Sequence, residues 1–178
     1  GVPLGVLASY NKWYRDIQNV VLDAMQTLPY FCYLIPVLMF FGGNIVSAVI
    51  ATVIYSVPPI IRLTALGLSQ VSGGYSEVSK SFGGTGIQTL NKVKFPLAVP
   101  SLVMGFNQTV IMAFAMQIVT PLIGGKGLGL QVFNALQRSD TGRGLSAGLA
   151  IVLLAIIIDR ITHAWTKKQR QALGLDQS

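Results

Sequence analysis

The sequence predicts an all-α protein, a polytopic bundle of transmembrane helices. Three observations carry this. Hydrophobic residues make up 52% of the 178 residues and charged residues only 11%, against about 25% charged in ordinary soluble domains. The apolar residues fall in runs long enough to cross a bilayer, which takes about 20 residues of helix. The runs are uniform rather than alternating, so they suit helices and not the ten-residue strands of a barrel.

The elements follow in order. "GVPLGVLAS" at the start reads as the tail of an apolar segment. No basic stretch precedes it, as one would in a signal peptide, and one or more membrane helices are expected upstream. The first full span covers about 20–41, bounded by Gly42, Gly43 and Asn44. The second covers about 45–68 and is interrupted by Pro58 and Pro59. The third covers about 97–123 and the fourth about 145–165. Each reaches across about 30 Å of hydrocarbon at about 1.5 Å per residue. Prolines 29, 36, 58, 59, 100 and 121 fall in or beside the spans, where neighbouring helices satisfy freed backbone groups. Pro58 and Pro59 are the candidate hinge, and a plain kink is the simpler reading. Ser47, Ala48, Ala51, Thr52, Gly144, Ala147, Gly148 and Ala150 are small and permit close helix approach.

Charge sets the sidedness. If spans alternate, Lys12, Arg15, Arg62, Lys80, Lys92, Lys94, Arg160, Lys167, Lys168 and Arg170 share one side. Lys126, Arg138 and Arg143 share the other, a split of ten against three of the thirteen basic residues. Short cytoplasmic loops carry the excess of Lys and Arg, so loop 76–96 and tail 166–178 are expected inside. The segment 124–143 is expected outside as a re-entrant or capping segment. Within it "LGLQVFNALQ" places apolar residues at 128, 132, 133 and 136, as a short amphipathic helix would.

Several function classes are excluded. The net charge is +7, but the basic residues form no stripe interleaved with aromatics, as a nucleic-acid surface would. Cys32 is the single cysteine and His163 the single histidine, which leaves no internal disulfide and no metal site of cysteines or histidines. No P-loop is present, so the chain holds no ATPase site of its own. No pair of carboxylates suggests a catalytic set. Asp23, Arg62, Asp159 and Arg160 fall near the inner ends of spans, whereas an ion-coupled carrier needs ionisable groups deep in the membrane.

One stretch is out of character. "SEVSKSFGGTGIQTLNKVKFPLAVP", 76–100, is polar and broken by glycines. Val78 and Phe82 stand four apart, on one helical face. Gly83 and Gly84 stop that helix. Thr85 with Gln88 three residues on is a capping-box pattern that starts another, and Pro96 is expected to close the unit. The pair is too small to bury its apolar side chains alone, so they must pack under the bundle or against a partner.

This stretch resembles the coupling loop of ABC importer permeases, the EAA loop. The family pattern is an acidic residue, two alanines, three residues, glycine, nine residues, then Ile-x-Leu-Pro. Here stand Glu77, Val78, Ser79, Gly83, and then Val93, Lys94, Phe95 and Pro96. Glu, Gly, Pro and the spacing agree, while the alanines are Val and Ser and the Ile and Leu are Val and Phe. "LDAMQTLPYFCYLIPVLMFFG", "PPIIRLTALGLSQV", "FNQTVIMAFAMQIV", "GGKGLG" and "LLAIIIDRIT" resemble the glycine betaine/proline betaine branch of these permeases.

The resemblance implies the type I ABC importer permease fold, with five core helices, in a bacterial or archaeal cytoplasmic (inner) membrane. It implies a second permease copy, expected as a homodimer, and cytoplasmic ATPase subunits that hold ATP and Mg. It also implies an external substrate-binding protein or fused domain. Glu77, Val78, Ser79, Phe82, Gly83 and Pro96 would form the ATPase docking site. No metal, cofactor or catalytic residue is expected in the chain itself. A permease for amino acids or another small solute is the alternative within the class. An ion-coupled carrier is the alternative outside it.

Overall fold

The structure, a computed structural model, describes residues 1–172, with side chains through Lys168. Every regular element among the described residues is helical. In chain order these are α1 (Val2–Tyr10), α2 (Lys12–Thr27), α3 (Phe31–Phe41), α4 (Ile45–Ser56), α5 (Pro58–Gln70), α6 (Gly73–Ser81) and α7 (Gly86–Thr89). A π-helical turn (Leu90–Lys94) leads into α8 (Phe95–Gln117). A 3-10 turn (Thr120–Ile123), α9 (Leu128–Arg138) and α10 (Thr141–Ala172) complete the chain.

Among the described residues, three stretches are long and apolar enough to cross a membrane: Ile45–Gln70, Gly86–Gln117 and Thr141–Lys168. The expected span at 20–41 is instead a broken pair, α2 and α3, bent by 95°. Pro29 lies in the break. It lacks an N–H and biases Leu28 away from helical dihedrals, so the run divides there. The third span stops at Gln117, short of the expected 123, and residues 120–123 form the 3-10 turn. Pro121 sits in the first turn of that short element, where its missing donor costs nothing. Pro58 and Pro59 likewise occupy the first turn of α5. Residues 166–172 of the expected tail continue α10. Residues 173–178 lie outside the described residues.

The chain divides into two compact units. One comprises Gly1–Leu22, Pro59–Asn107 and the chain from Ile161 onward. Its helices meet through small residues. A Cβ on Gly5 would lie 2.6 Å from Thr64 Cβ, and one on Gly67 would lie 2.6 Å from Ser101 Cβ. One on Gly105 would lie 3.0 Å from Leu63 Cβ. Such close approach is how helices gain dispersion energy in lipid, where burial from water gives none. The Thr162 hydroxyl donates to Asn107 Oδ1 at 2.5 Å, joining α10 to α8.

The other unit comprises Asp23–Pro58 and Gln108–Arg160. Tyr33, Leu34 and Val37 of α3 cluster with Ala48 and Ala51 of α4, Met116 of α8 and Ile123. The Tyr33 hydroxyl donates to the Met25 carbonyl, and its ring meets Tyr55 edge-on at 5.7 Å. The predicted stop at Gly42–Asn44 is present. Gly42, at φ 74°, ends α3, and Asn44 Oδ1 accepts the Ser47 N–H at 3.0 Å to start α4. The loop after α8 is pressed against its neighbours. A Cβ on Gly124, at φ 91°, would lie 2.7 Å from Asn44 N, and one on Gly125 would lie 2.7 Å from Thr120 Oγ1. One on Gly129 would overlap the Gln117 carbonyl oxygen. The predicted amphipathic helix exists as α9, but Gly129 and Ala135 are its buried positions while Leu136 is exposed. In α10, Leu149, Val152, Leu153, Ile156 and Ile157 are all exposed, which suits a hydrocarbon solvent and not water.

Candidate functional site

The hairpin α6–α7 lies in the first unit and its local chemistry explains its shape. Ser72 Oγ accepts the Gly74 N–H at 3.4 Å at the start of α6. At the end of α6 the chain turns through Gly83, at φ 77°. This left-handed conformation is the one glycine adopts without penalty. The Gly83 N–H donates to Lys80 O and the Gly84 N–H to Ser79 O, both at 2.9 Å. The predicted capping box is complete. Thr85 Oγ1 accepts the Gln88 N–H at 3.4 Å, and Gln88 Oε1 accepts the Thr85 N–H at 2.9 Å.

Ser79 occupies one of the two positions that are alanine in the coupling-loop pattern, and its role is internal. Its hydroxyl lies 2.8 Å from Thr89 Oγ1. Thr89 already donates its proton to Thr85 O at 3.1 Å, so Ser79 is the donor. The bond clips α6 to the base of α7 beside the buried Thr89. Composition and spacing did not single out Thr89. The signal was present in retrospect, since a threonine four residues into a capped helix has its own turn's carbonyl within reach.

Pro96 does not close the unit. Residues 86–117 form one continuous helical stretch, with Pro96 in the first turn of α8. The π turn at Leu90–Lys94 immediately precedes it. A proline lacks the N–H for the helical ladder and crowds the carbonyl four residues back, and a widened turn relieves both conflicts. The hairpin's second helix therefore runs without a break into a membrane-length helix. Lys94 Nζ lies 5.7 Å from the centre of the Tyr10 ring, a cation–π contact that ties this junction to α1.

The outer surface of the hairpin is apolar and uncovered. Phe82 is 88% exposed, Ile87 74% and Val78 57%. Glu77 and Tyr75 are exposed beside them. Burying a side chain such as Phe or Val is worth about 1.5–3 kcal/mol each, so this patch is an unspent contact surface. Of the six predicted docking residues, Glu77, Val78, Phe82 and Gly83 are exposed, Ser79 bonds inward to Thr89, and Pro96 lies in α8. Ile87 and Tyr75 join the apolar set and were not anticipated. Among the described residues, no three His, Cys, Asp or Glu side chains gather to hold a metal ion.

A family model described as the binding-protein-dependent transport system inner membrane component matches residues 1–171. The chain belongs to this family. It is thus an inner-membrane transport component, and its relatives are permease proteins. It is 45% identical to the glycine betaine/carnitine transport permease protein GbuB of Listeria monocytogenes, over 96% of this chain and 60% of that protein. It is 43% identical to the glycine betaine transport system permease protein OpuAB of Bacillus subtilis, over 92% of this chain and 58% of that protein. It is 43% identical to the glycine betaine/proline betaine transport system permease protein ProW of Escherichia coli, over 96% of this chain and 48% of that protein. The chain therefore spans only about half to three fifths of the length of these permeases. A chain of the MetNI methionine ABC transporter, in an inward-facing crystal form, superposes with a TM-score of 0.78 at 22% identity. The superposition covers 92% of this chain and 85% of that one, and it establishes the ABC importer permease fold.

Proposed function

We propose that the chain is the membrane-spanning part of an ATP-driven importer for glycine betaine/proline betaine-type solutes, and that the α6–α7 hairpin is where a cytoplasmic ATPase grips it. The observation that carries this is the exposed Glu77–Val78–Phe82 surface on a hairpin whose second helix is continuous with α8. A force applied to that surface would pass to α8 through the hydrogen-bonded Gly83–Gly84 turn and the Ser79–Thr89 clip. ATP and Mg reside in the partner, since this chain has no P-loop. Closure of the ATPase pair on nucleotide would move two hairpins, one from each of two permease copies. The bundle would then exchange between two states of access. Pro58 and Pro59, adjacent within the Ile45–Gln70 span, would be the hinge. An external binding protein or domain would deliver the solute. The relatives named for betaine support the substrate class.

The test uses the full-length permease, assembled with its ATPase and binding protein in liposomes. Glu77→Arg and Gly83→Pro are expected to abolish ATP-driven betaine uptake while the permease still inserts and is recovered from the membrane. Uptake and substrate-stimulated ATP hydrolysis at wild-type rates in either variant would refute the docking role. Growth at high osmolarity restored by betaine, and not by amino acids, separates this substrate class from the amino-acid alternative.

A further inference from the structure

The loop that follows α8 carries one exposed charge between closely packed glycines. Gly124, Gly125 and Gly129 each lie where a side chain would collide with Asn44, Thr120 or Gln117. Between them stands Lys126, the only charged residue from 118 to 137. It forms part of the wall of a cavity of about 200 Å³. Ala48, Val49, Thr52 and Val53 of α4 line one side, and Gln117 and Thr120 line the other. All belong to the second unit. No carboxylate lines the cavity. Asp140, the one acidic residue of the segment 124–143, accepts the Arg143 N–H at 3.0 Å as the cap of α10.

The other polar groups narrow the ligand. The Thr52 hydroxyl donates to Ala48 O at 2.8 Å, and the Thr120 hydroxyl donates to Gln117 O at 3.2 Å. Their protons are committed, so both offer a ligand only oxygen lone pairs. The cavity thus combines one ammonium, two hydroxyl acceptor oxygens, the Gln117 carboxamide and aliphatic walls. Its volume is below the roughly 300–1,000 Å³ of sites for drug-sized ligands. A small zwitterion meets these terms. Its carboxylate pairs with Lys126 Nζ, and its methylated ammonium sets polarised C–H groups against the threonine oxygens and the aliphatic side chains. A loop held by glycine contacts loses little freedom when it binds, which preserves affinity for a small ligand.

We propose that this cavity is a binding site for the transported solute, entered carboxylate-first at Lys126. The proposal rests on the reading of the chain as part of a permease for betaine-type zwitterions. The test uses the full-length permease assembled with its ATPase in liposomes. Cys32, which is exposed, is replaced by serine, and Thr52→Cys supplies a reporter in the cavity wall. The rate of labelling by a charged methanethiosulfonate reagent is measured with glycine betaine, with choline, which lacks the carboxylate, and with neither. Betaine is expected to slow labelling and choline to leave it unchanged. Lys126→Gln is expected to raise the betaine concentration needed for protection by about tenfold or more, the loss of one charged hydrogen bond, while Lys126→Arg retains protection. Labelling indifferent to betaine, equal protection by choline, or protection of Lys126→Gln at the same betaine concentration as the parent would overturn the proposal. Protection by the binding protein without solute would also overturn it, by assigning the carboxylate to a protein side chain. ATP-driven betaine uptake by the unmodified assembly is measured in parallel. Its absence removes the permease reading, whereas uptake without protection in the reporter assembly removes this site alone.

Discussion

The α6–α7 hairpin and the loop joining α8 to α9 are built from similar parts and end in opposite states. Both are glycine-rich turns between helices, and both contain a glycine at positive φ, Gly83 at 77° and Gly124 at 91°. A Cβ on Gly83 would meet nothing within 4 Å, whereas one on Gly124 would meet the Asn44 backbone at 2.7 Å. Gly83 is needed for its dihedral angle alone, while a Cβ on Gly84 beside it would lie 2.7 Å from the Ser79 carbonyl oxygen inside the hairpin. Gly124 is needed both for its dihedral angle and for space against another helix's cap. The hairpin leaves Phe82, Ile87 and Val78 outside, while the loop after α8 buries Thr120, Ile123 and Gly125. The same residue type therefore marks an uncovered surface in one place and a finished interior in the other. Only packing distinguishes them.

That contrast can be broken by substitution, most strongly in the packed loop. Gly129→Val is expected to cost at least about 1–3 kcal/mol, the range for forcing volume into a filled site. The Gln117 carbonyl cannot move aside without disturbing the end of α8. Thermal unfolding of the purified full-length permease should register a lower Tm. Phe82→Ala should leave that Tm unchanged and weaken ATPase association by about 10–100-fold, if the ring is buried on docking at about 1.5–3 kcal/mol. Titration of detergent-solubilised permease with the ATPase measures this. Gly83→Ala should cost about 1–2 kcal/mol through its dihedral angle alone, with a correspondingly smaller fall in Tm than Gly129→Val. Ser79→Ala should cost about 0.5–1.5 kcal/mol. It restores the residue of the family pattern and removes the clip to Thr89, so uptake should persist while hydrogen exchange in 85–90 quickens.

Much of this organisation was legible in the sequence. The cap at Thr85–Gln88 and the stops at Gly42 and Gly83 are local chemistry, and they appear where spacing placed them, whereas Asn44 was read as a boundary and is also the cap of α4. Three of the four expected membrane-length elements were readable from their apolar runs, while the first is a bent pair. What sequence could not resolve was how prolines would be accommodated. Pro29 divides a run that looked continuous, while Pro96 is absorbed by a π turn in a run that looked closed. Both outcomes depend on which neighbouring turns can widen, and that is not a property of the proline. Ser79 was similarly ambiguous. Its position in the coupling-loop pattern suggested an outward contact, and the inward bond to Thr89 depends on how α6 folds back on α7. Lys126 entered only as a charge to be counted. The glycine contacts and the cavity beside it exist only in three dimensions.

The account turns on whether the hairpin's exposed face is where the ATPase docks. The direct measurement is thiol labelling of Phe82→Cys in the full-length, Cys32→Ser permease, with and without the ATPase subunit bound. Lys92→Cys, also exposed but on the π turn, serves as the comparison. The account predicts that assembly protects position 82 and leaves position 92 reactive. Equal labelling of position 82 in the free permease and in the assembled complex would contradict it.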